Sequence, residues 1–197
     1  MKEITVQQIT DAVRTLCMDV SFDLPRDVEA ALTDGLAKEE SPFGKYCLEQ
    51  ILHNCHLARE SRQAMCQDTG IAVVYLSVGQ DVHIIGGSLT EAIHEGVRQG
   101  YEDGYLRKSV VEEPLFERSN TGDNTPAVIH TEIVPGDVLR IMVVPKGAGS
   151  ENMGAVKMLK PADGLEGAKQ FILDTVRNAG GNPCPPIVVG IGVGGTM

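Results

Sequence analysis

The sequence predicts an α+β protein, a mixed α/β chain in which a helical N-terminal layer is followed by a mixed sheet with flanking helices. Three observations predict it. Apolar residues recur three and four apart from Ile4 to about Met65, the period of amphipathic helices. β-branched runs bounded by glycine and proline take over after Gly70. Two helix-start signals, Ser41-Pro42 and Ser88-Leu89-Thr90-Glu91, punctuate the pattern.

The elements follow in order. Ile4 to Val20 keeps its apolar spacing without Pro or Gly, and Pro25 can open a second helix over Val28 to Leu36, weakened by Gly35. Ser41 as N-cap and Pro42 as first helical residue start a third helix reaching Met65. The loop Cys66-Gln67-Asp68-Thr69-Gly70 leads into a strand, Ile71 to Val78, then a short one, Val82 to Ile85. The Ser88/Glu91 capping box opens a helix with Leu89, Ile93 and Val97 on one face, running to about Tyr101. A loop-rich stretch, Arg107 to Thr125, closes on the turn signal Asn120 to Pro126. Two strands, Ala127 to Val134 and Val138 to Val144, flank Pro135-Gly136-Asp137, a spacing that suits an antiparallel hairpin. After the glycine-rich loop Lys146 to Asn152, Pro161 opens a helix that Gly180-Gly181 ends. Cys184-Pro185-Pro186 and the apolar run Ile187-Val188-Val189 lead to the glycines of 190–195. The organisation expected is a helical subdomain over 1–65 and a mixed α/β body over 66–197, joined at a seam rather than a linker.

Composition narrows the function classes. A net charge of −10 excludes the basic surface that phosphate backbones require. The absence of Trp and an aromatic content of 4% argue against base-stacking platforms. No apolar run approaches the roughly 20 residues of a membrane span, and no signal-peptide pattern opens the chain. A cytoplasmic protein with no nucleic-acid and no membrane partner is expected.

Of five cysteines, Cys17, Cys47 and Cys55 lie on apolar helix faces, where a thiol behaves as a small buried hydrophobe. Cys66 and Cys184 lie in turns, where a thiol is displayed. A thiol nucleophile at Cys66 would need a base that the sequence does not identify. Gly190-Ile191-Gly192-Val193-Gly194-Gly195 matches a dinucleotide fingerprint in letters only, since neither the helix nor the acidic residue that should follow is present. Lys146 to Asn152 reads equally as an anion-binding backbone nest or a surface turn. His53 and His56, flanking Cys55, read as ordinary helix residues rather than metal ligands.

Together, Cys66-Gln67-Asp68-Thr69-Gly70, Leu106-Arg107-Lys108-Ser109, Asn120 to Pro126, Lys146 to Asn152 and Cys184-Pro185-Pro186-Ile187 resemble, in order and spacing, the iron–sulfur (class I) fumarate hydratases. The likeness is greatest to the α subunit of the two-subunit form. The related L-tartrate dehydratase α subunit shares the cysteine motifs, and its departure from the Gly-Ser-Glu-Asn pattern after the second hairpin strand favours the fumarate reading. The resemblance implies a [4Fe–4S] cluster held by three cysteines, with Cys66 and Cys184 matching two of them. It implies Asp68 as the acid, and Gln67, Arg107 and Gly149 as contacts for a small dicarboxylate substrate. It also implies a β subunit as partner in a homo- or hetero-oligomer.

The third cysteine of that family lies beyond the last residue of this sequence, so a fragment inactive by itself is expected. Other readings stay open: a dehydratase of tartrate or another hydroxy-diacid, a non-catalytic subunit-docking module, or a redox role for the cluster, which would call for four cysteine ligands.

Overall fold

The computed structural model describes residues 2–195. The chain divides into two compact units between Lys146 and Gly147.

The first unit begins with a short strand, β1 (Lys2–Thr5), where the periodicity alone suggests helix. Helix α1 (Val6–Phe22) starts at Thr5 through a reciprocal capping box: Thr5 Oγ1 accepts the Gln8 N–H and Gln8 Oε1 accepts the Thr5 N–H, at 3.2 and 2.9 Å. Helix α2 (Arg26–Lys38) follows Pro25. Helix α3 (Pro42–Ser61) starts at the Ser41 cap and stops four residues short of Met65, because Arg62 turns left-handed with φ of 50°. Strands β2 (Ile71–Gly79) and β3 (Val82–Ile85) precede α4 (Leu89–Asp103), whose N-cap Ser88 accepts the Glu91 N–H. Strands β4 (Val128–Val134) and β5 (Leu139–Lys146) complete the unit.

Strand β1 pairs in parallel with β3. The larger sheet has the order β4-β2-β5, with β4 parallel and β5 antiparallel to β2. This corrects the expected hairpin. β4 and β5 run in opposite directions, but β2 lies between them and takes backbone hydrogen bonds on both edges. The physical reason lies in the connection. Gln80 and Asp81 donate N–H bonds to Val134 O and Gly136 O, and Gly79 donates to Val138 O, so Pro135-Gly136-Asp137 bridges the end of β2 instead of turning back on itself. A Cβ at Gly79 would stand 2.3 Å from Gly136 O, so only glycine allows this approach.

One face of the sheet carries Ala72, Val74, Leu76 and Val143, all buried, with Ile9, Val13 and Cys17 of α1 and Ile93, Val97 and Tyr101 of α4 completing the core. Helices α1 and α4 approach closely because α4 presents Gly96 and Gly100 one turn apart. A Cβ at Gly96 would lie 2.7 Å from both Thr10 O and Val13 Cβ, and one at Gly100 2.8 Å from Cys17 Cβ. Thr10 Oγ1 also donates to Ala92 O at 2.9 Å across the pair. Cys17 and Cys55 are buried as expected, and Cys47 is half-buried.

In the second unit, a four-residue helix α5 (Ala148–Glu151) occupies the glycine-rich loop, and a 3-10 turn over Pro161–Asp163 leads into α6 (Gly164–Ala179). The run Ile187-Val188-Val189 has no regular structure and is exposed, since no strand of the described residues pairs with it. No described helix is long and apolar enough to cross a membrane.

Gly96→Ala tests the helix contact. In an exposed helix the exchange gains roughly 1 kcal/mol of propensity. Here overpacking should dominate and destabilise the protein by about 1–3 kcal/mol in urea unfolding. A more stable variant would contradict the close crossing.

Candidate functional site

The loop that follows α3 is tethered on both sides of its cysteine. Upstream, Met65 N–H donates to Ser21 O at 3.0 Å, and Met65 O accepts Asn54 Nδ2 at 2.8 Å. Downstream, Asp68 Oδ1 accepts the Gly70 N–H at 3.2 Å, closing a turn that sets the carboxylate's direction. Gly70 itself is left-handed, with φ of 71°, and a Cβ there would lie 2.6 Å from the Lys146 carbonyl carbon. Between these tethers Cys66 is exposed, its Sγ 3.6 Å from Gln67 Oε1.

The buried polar hub beneath the loop is what the sequence did not reveal. Thr69 Oγ1 donates to Arg107 O at 2.9 Å, joining the cysteine loop to the arginine segment. The Tyr101 hydroxyl, from the C-terminal end of α4, lies 2.8 Å from Thr69 O and 3.2 Å from Gly70 O. Burial chiefly, with the neighbouring Cys17 and Asp68 adding to it, pushes the phenol well above its ordinary pKa, so it stays a donor. Asn124 is fully buried and left-handed, with φ of 62°. Its Nδ2 donates to Gly70 O at 3.1 Å, and its Oδ1 accepts the N–H groups of Ser109 and Val110 at 2.7 and 3.2 Å. One carboxamide thus pins two loops that are far apart in sequence. A buried Tyr hydroxyl needs a partner, and Asn is the non-glycine residue that most readily turns left-handed. Those two facts are the signals that could have singled out both residues.

The turn holding Asn124 is itself anchored. Asp123 Oδ1 accepts the N–H and Oγ1 of Thr125 at 2.9 and 2.7 Å, and its Oδ2 accepts Arg98 Nε of α4 at 2.9 Å. Partial burial alone would raise the carboxyl's pKa. The Thr125 hydrogen bonds and the Arg98 guanidinium outweigh it and hold the group at about 2. Asn120 Nδ2 donates to Lys108 O at 3.0 Å, and an isolated bridge pairs Val111 with Asn120, so the arginine segment is clamped along its length. Arg107 stays exposed, its side chain without an ion pair among the described residues, in a chain of net charge −10.

The first unit therefore brings together Cys66, Gln67, Asp68 and Arg107. Gly149 and Cys184 belong to the second unit. Gly149 lies in α5, where a Cβ would meet Asn182 O at 3.0 Å. Cys184 is exposed and left-handed at φ of 60°, its N–H donating to Gly181 O. Left-handed backbone at a non-glycine residue is uncommon and recurs at functional sites. Both thiols are presented to solvent, unlike the core thiol of Cys17, which burial pushes up to about 12. In donor chemistry each thiol by itself is of the type that suits a soft metal. No group of three or more His, Cys, Asp or Glu converges on one point among the described residues. His53 and His56 are exposed, and His56 Nε2 meets Glu29 Oε1 at 2.9 Å.

Comparison with known proteins shows the family of the chain. A family model described as fumarate hydratase (Fumerase) matches residues 10–197. A Methanocaldococcus jannaschii protein, provisionally named an L(+)-tartrate dehydratase subunit alpha, is 44% identical over 193 residues, 96% of this chain and 68% of its own. The L(+)-tartrate dehydratase subunit alpha of Escherichia coli K12 is 30% identical over 196 residues, 98% of this chain and 64% of its own. The Shigella sonnei protein of the same name matches equally. The chain thus spans a little under two thirds of the length of the enterobacterial relatives.

Two predictions follow from the hub. Asn124→Ala leaves the Ser109 and Val110 N–H groups without a partner and Gly70 O with the Tyr101 hydroxyl alone, and should destabilise the protein by about 2–3 kcal/mol in urea unfolding. A loss below about 0.5 kcal/mol would contradict the hub. Asp123 has a folded pKa below its unfolded value of about 3.9, so its contribution is present above pH 4 and is lost as pH falls towards 2. Asp123→Asn should lower stability at neutral pH and flatten the acid limb of the stability curve. An unchanged acid limb would contradict the assignment.

Proposed function

The chain belongs to the fumarate hydratase (Fumerase) family, and we propose that it forms part of a hydro-lyase interconverting fumarate and L-malate by reversible hydration. The observation that carries this reading is the Thr69–Arg107 hydrogen bond. It ties the loop that carries a thiol, a carboxamide and a carboxylate to the backbone of the segment that carries Arg107, a guanidinium with no ion pair among the described residues. This supports reading them as the set that a dicarboxylate dehydration calls for.

Cys66 and Cys184 would hold a [4Fe–4S] cluster. The remaining protein ligand belongs, in this proposal, to the part of the relatives' length that the present sequence does not span. When bound, a cluster with one open iron supplies a Lewis acid for hydroxyl and carboxylate oxygens. The chain's own residues do the rest. Arg107 offers its planar fork to one substrate carboxylate, a bidentate fit that lysine cannot reproduce. Gln67 donates from its carboxamide, and Gly149 offers its backbone N–H. Asp68 in its acid form gives a proton to the departing hydroxyl oxygen, which leaves as water, and in hydration the carboxylate takes that proton back. The group that removes the carbon-bound proton is assigned to the β subunit, as is additional positive charge to draw a dianion to an acidic protein.

A second reading has a specific observation behind it: the relatives at 44% and 30% identity carry the tartrate dehydratase name. The two-subunit enzyme, assayed on L-malate, fumarate and L-tartrate, decides. We expect kcat/KM for L-malate to exceed that for L-tartrate at least tenfold, and the reverse order would transfer the proposal to tartrate. In the same enzyme Asp68→Asn should lower kcat by roughly 10²–10⁴ with the cluster absorbance intact. Cys66→Ser should abolish that absorbance while α and β still co-purify. An assembled complex that turns over none of these acids would leave the chain a docking module.

A further inference from the structure

The face of the larger sheet turned away from α1 and α4 carries exposed side chains, and its register is unusual in one respect. Reading across β4, β2 and β5, the rows on this face are Val128–Val73–Val144, His130–Tyr75–Met142 and Glu132–Ser77–Arg140. Tyr75, Met142 and Val128 are 43%, 56% and 44% exposed, and the Tyr75 and His130 rings stack at 5.0 Å. Tyr75, Ser77, Arg140 and Met142 line a shallow groove. A strand with one face packed on the core and the other in water normally alternates apolar-in with polar-out, in a mixed sheet such as this one as in an antiparallel one. Here one row, Val128–Val73–Val144, is wholly apolar, and Tyr75 and Met142 add exposed apolar surface beside His130 in the next, as in a sheet covered on both faces.

The polar row says by what. Glu132 sits on one edge strand and Arg140 on the other, at the same level, each paired in register with Ser77 of the central strand. Neither has an ion-pair partner within the described residues. A two-fold axis running along β2 in the plane of the interface carries β4 of one copy over β5 of the other. Arg140 then faces Glu132 of the partner subunit, and Glu132 faces Arg140 of the partner subunit. By the same operation Val128 meets the partner's Val144, His130 meets the partner's Met142, and Tyr75 lies over the partner's Tyr75. Sheets packed face to face stand about 10 Å apart with strands aligned within about 30°, a gap these side chains fill. A two-fold interface must be complementary to itself, and this face is so in shape class and in charge.

We propose that this outer sheet face is the docking surface for a second copy of the same chain, packed as a two-fold sandwich with reciprocal Glu132–Arg140 pairs. The proposal does not depend on the hydro-lyase reading, since none of these residues belongs to the candidate site.

Sedimentation velocity of the chain between 5 and 200 µM tests it, with circular dichroism confirming the fold of each variant. We expect concentration-dependent dimerisation of the unsubstituted chain. Glu132→Arg and Arg140→Glu should each weaken it at least tenfold by setting like charges face to face. The double exchange should restore it to within about threefold. Mixing the two single variants should also restore it, as a heterodimer. A chain monomeric throughout this range overturns the proposal, whatever else covers the face. So do single variants that dimerise like the parent, or a double exchange that fails to recover.

Discussion

The carboxamide of Asn124 is the interaction on which the site depends. It is fully buried, and its oxygen and nitrogen reach three backbone groups on two loops. Among the described residues those loops have no ladder partner apart from the bridge at Val111. A buried peptide group without a partner is penalised by about 1–3 kcal/mol, so the three contacts favour one arrangement of the loops over any that separates them. The Tyr101 hydroxyl adds the tie to α4, and through α4 to the packed core. Polar groups thus extend the rigidity of an apolar core to a surface that must stay polar.

The consequence for chemistry is preorganisation. Cys66, Gln67 and Asp68 are carried on a backbone held from Met65 to Gly70, and Arg107 on one clamped by Thr69, Asn120 and Asn124. Side chains aimed by their backbone lose less freedom when a ligand binds. The second unit displays Cys184 by a different device, a left-handed residue before two prolines. The exposed thiols of Cys66 and Cys184 stand on irregular backbone and the buried ones of Cys17 and Cys55 on helices, so the difference lies in the backbone rather than in the residue.

Much of the fold was legible in the sequence, for local reasons. Caps at Ser41 and Ser88 and the apolar spacing of α1 and α4 are short-range signals, and the helices lie close to where they predict. The long helix overran to Met65 because nothing in the residue types announces the left-handed Arg62. The hairpin was misread because strand pairing is decided at long range. Pro135-Gly136-Asp137 is a good turn in either topology, and only the approach of Gly79 to Gly136 shows that β2 lies between. In the candidate site, Cys66, Asp68 and Arg107 can be singled out from the sequence because they stand in polar loops. The residues that hold them were not. Asn124 looked like one more turn former, and Tyr101 like the last apolar residue of a helix, because a buried hydrogen bond between distant segments leaves no pattern along the chain.

Native-state hydrogen exchange at the amides of Ser109 and Val110 tests the central claim most directly. Both lie outside regular secondary structure, where an uncommitted amide exchanges freely. If Asn124 Oδ1 accepts from both, they should exchange within about tenfold of the central β2 amides of Val74 and Leu76, with no metal or substrate present. Exchange as fast as that of the exposed loop amides of Val156 and Met158 would contradict the account, and would mean that the site is ordered only by what it binds.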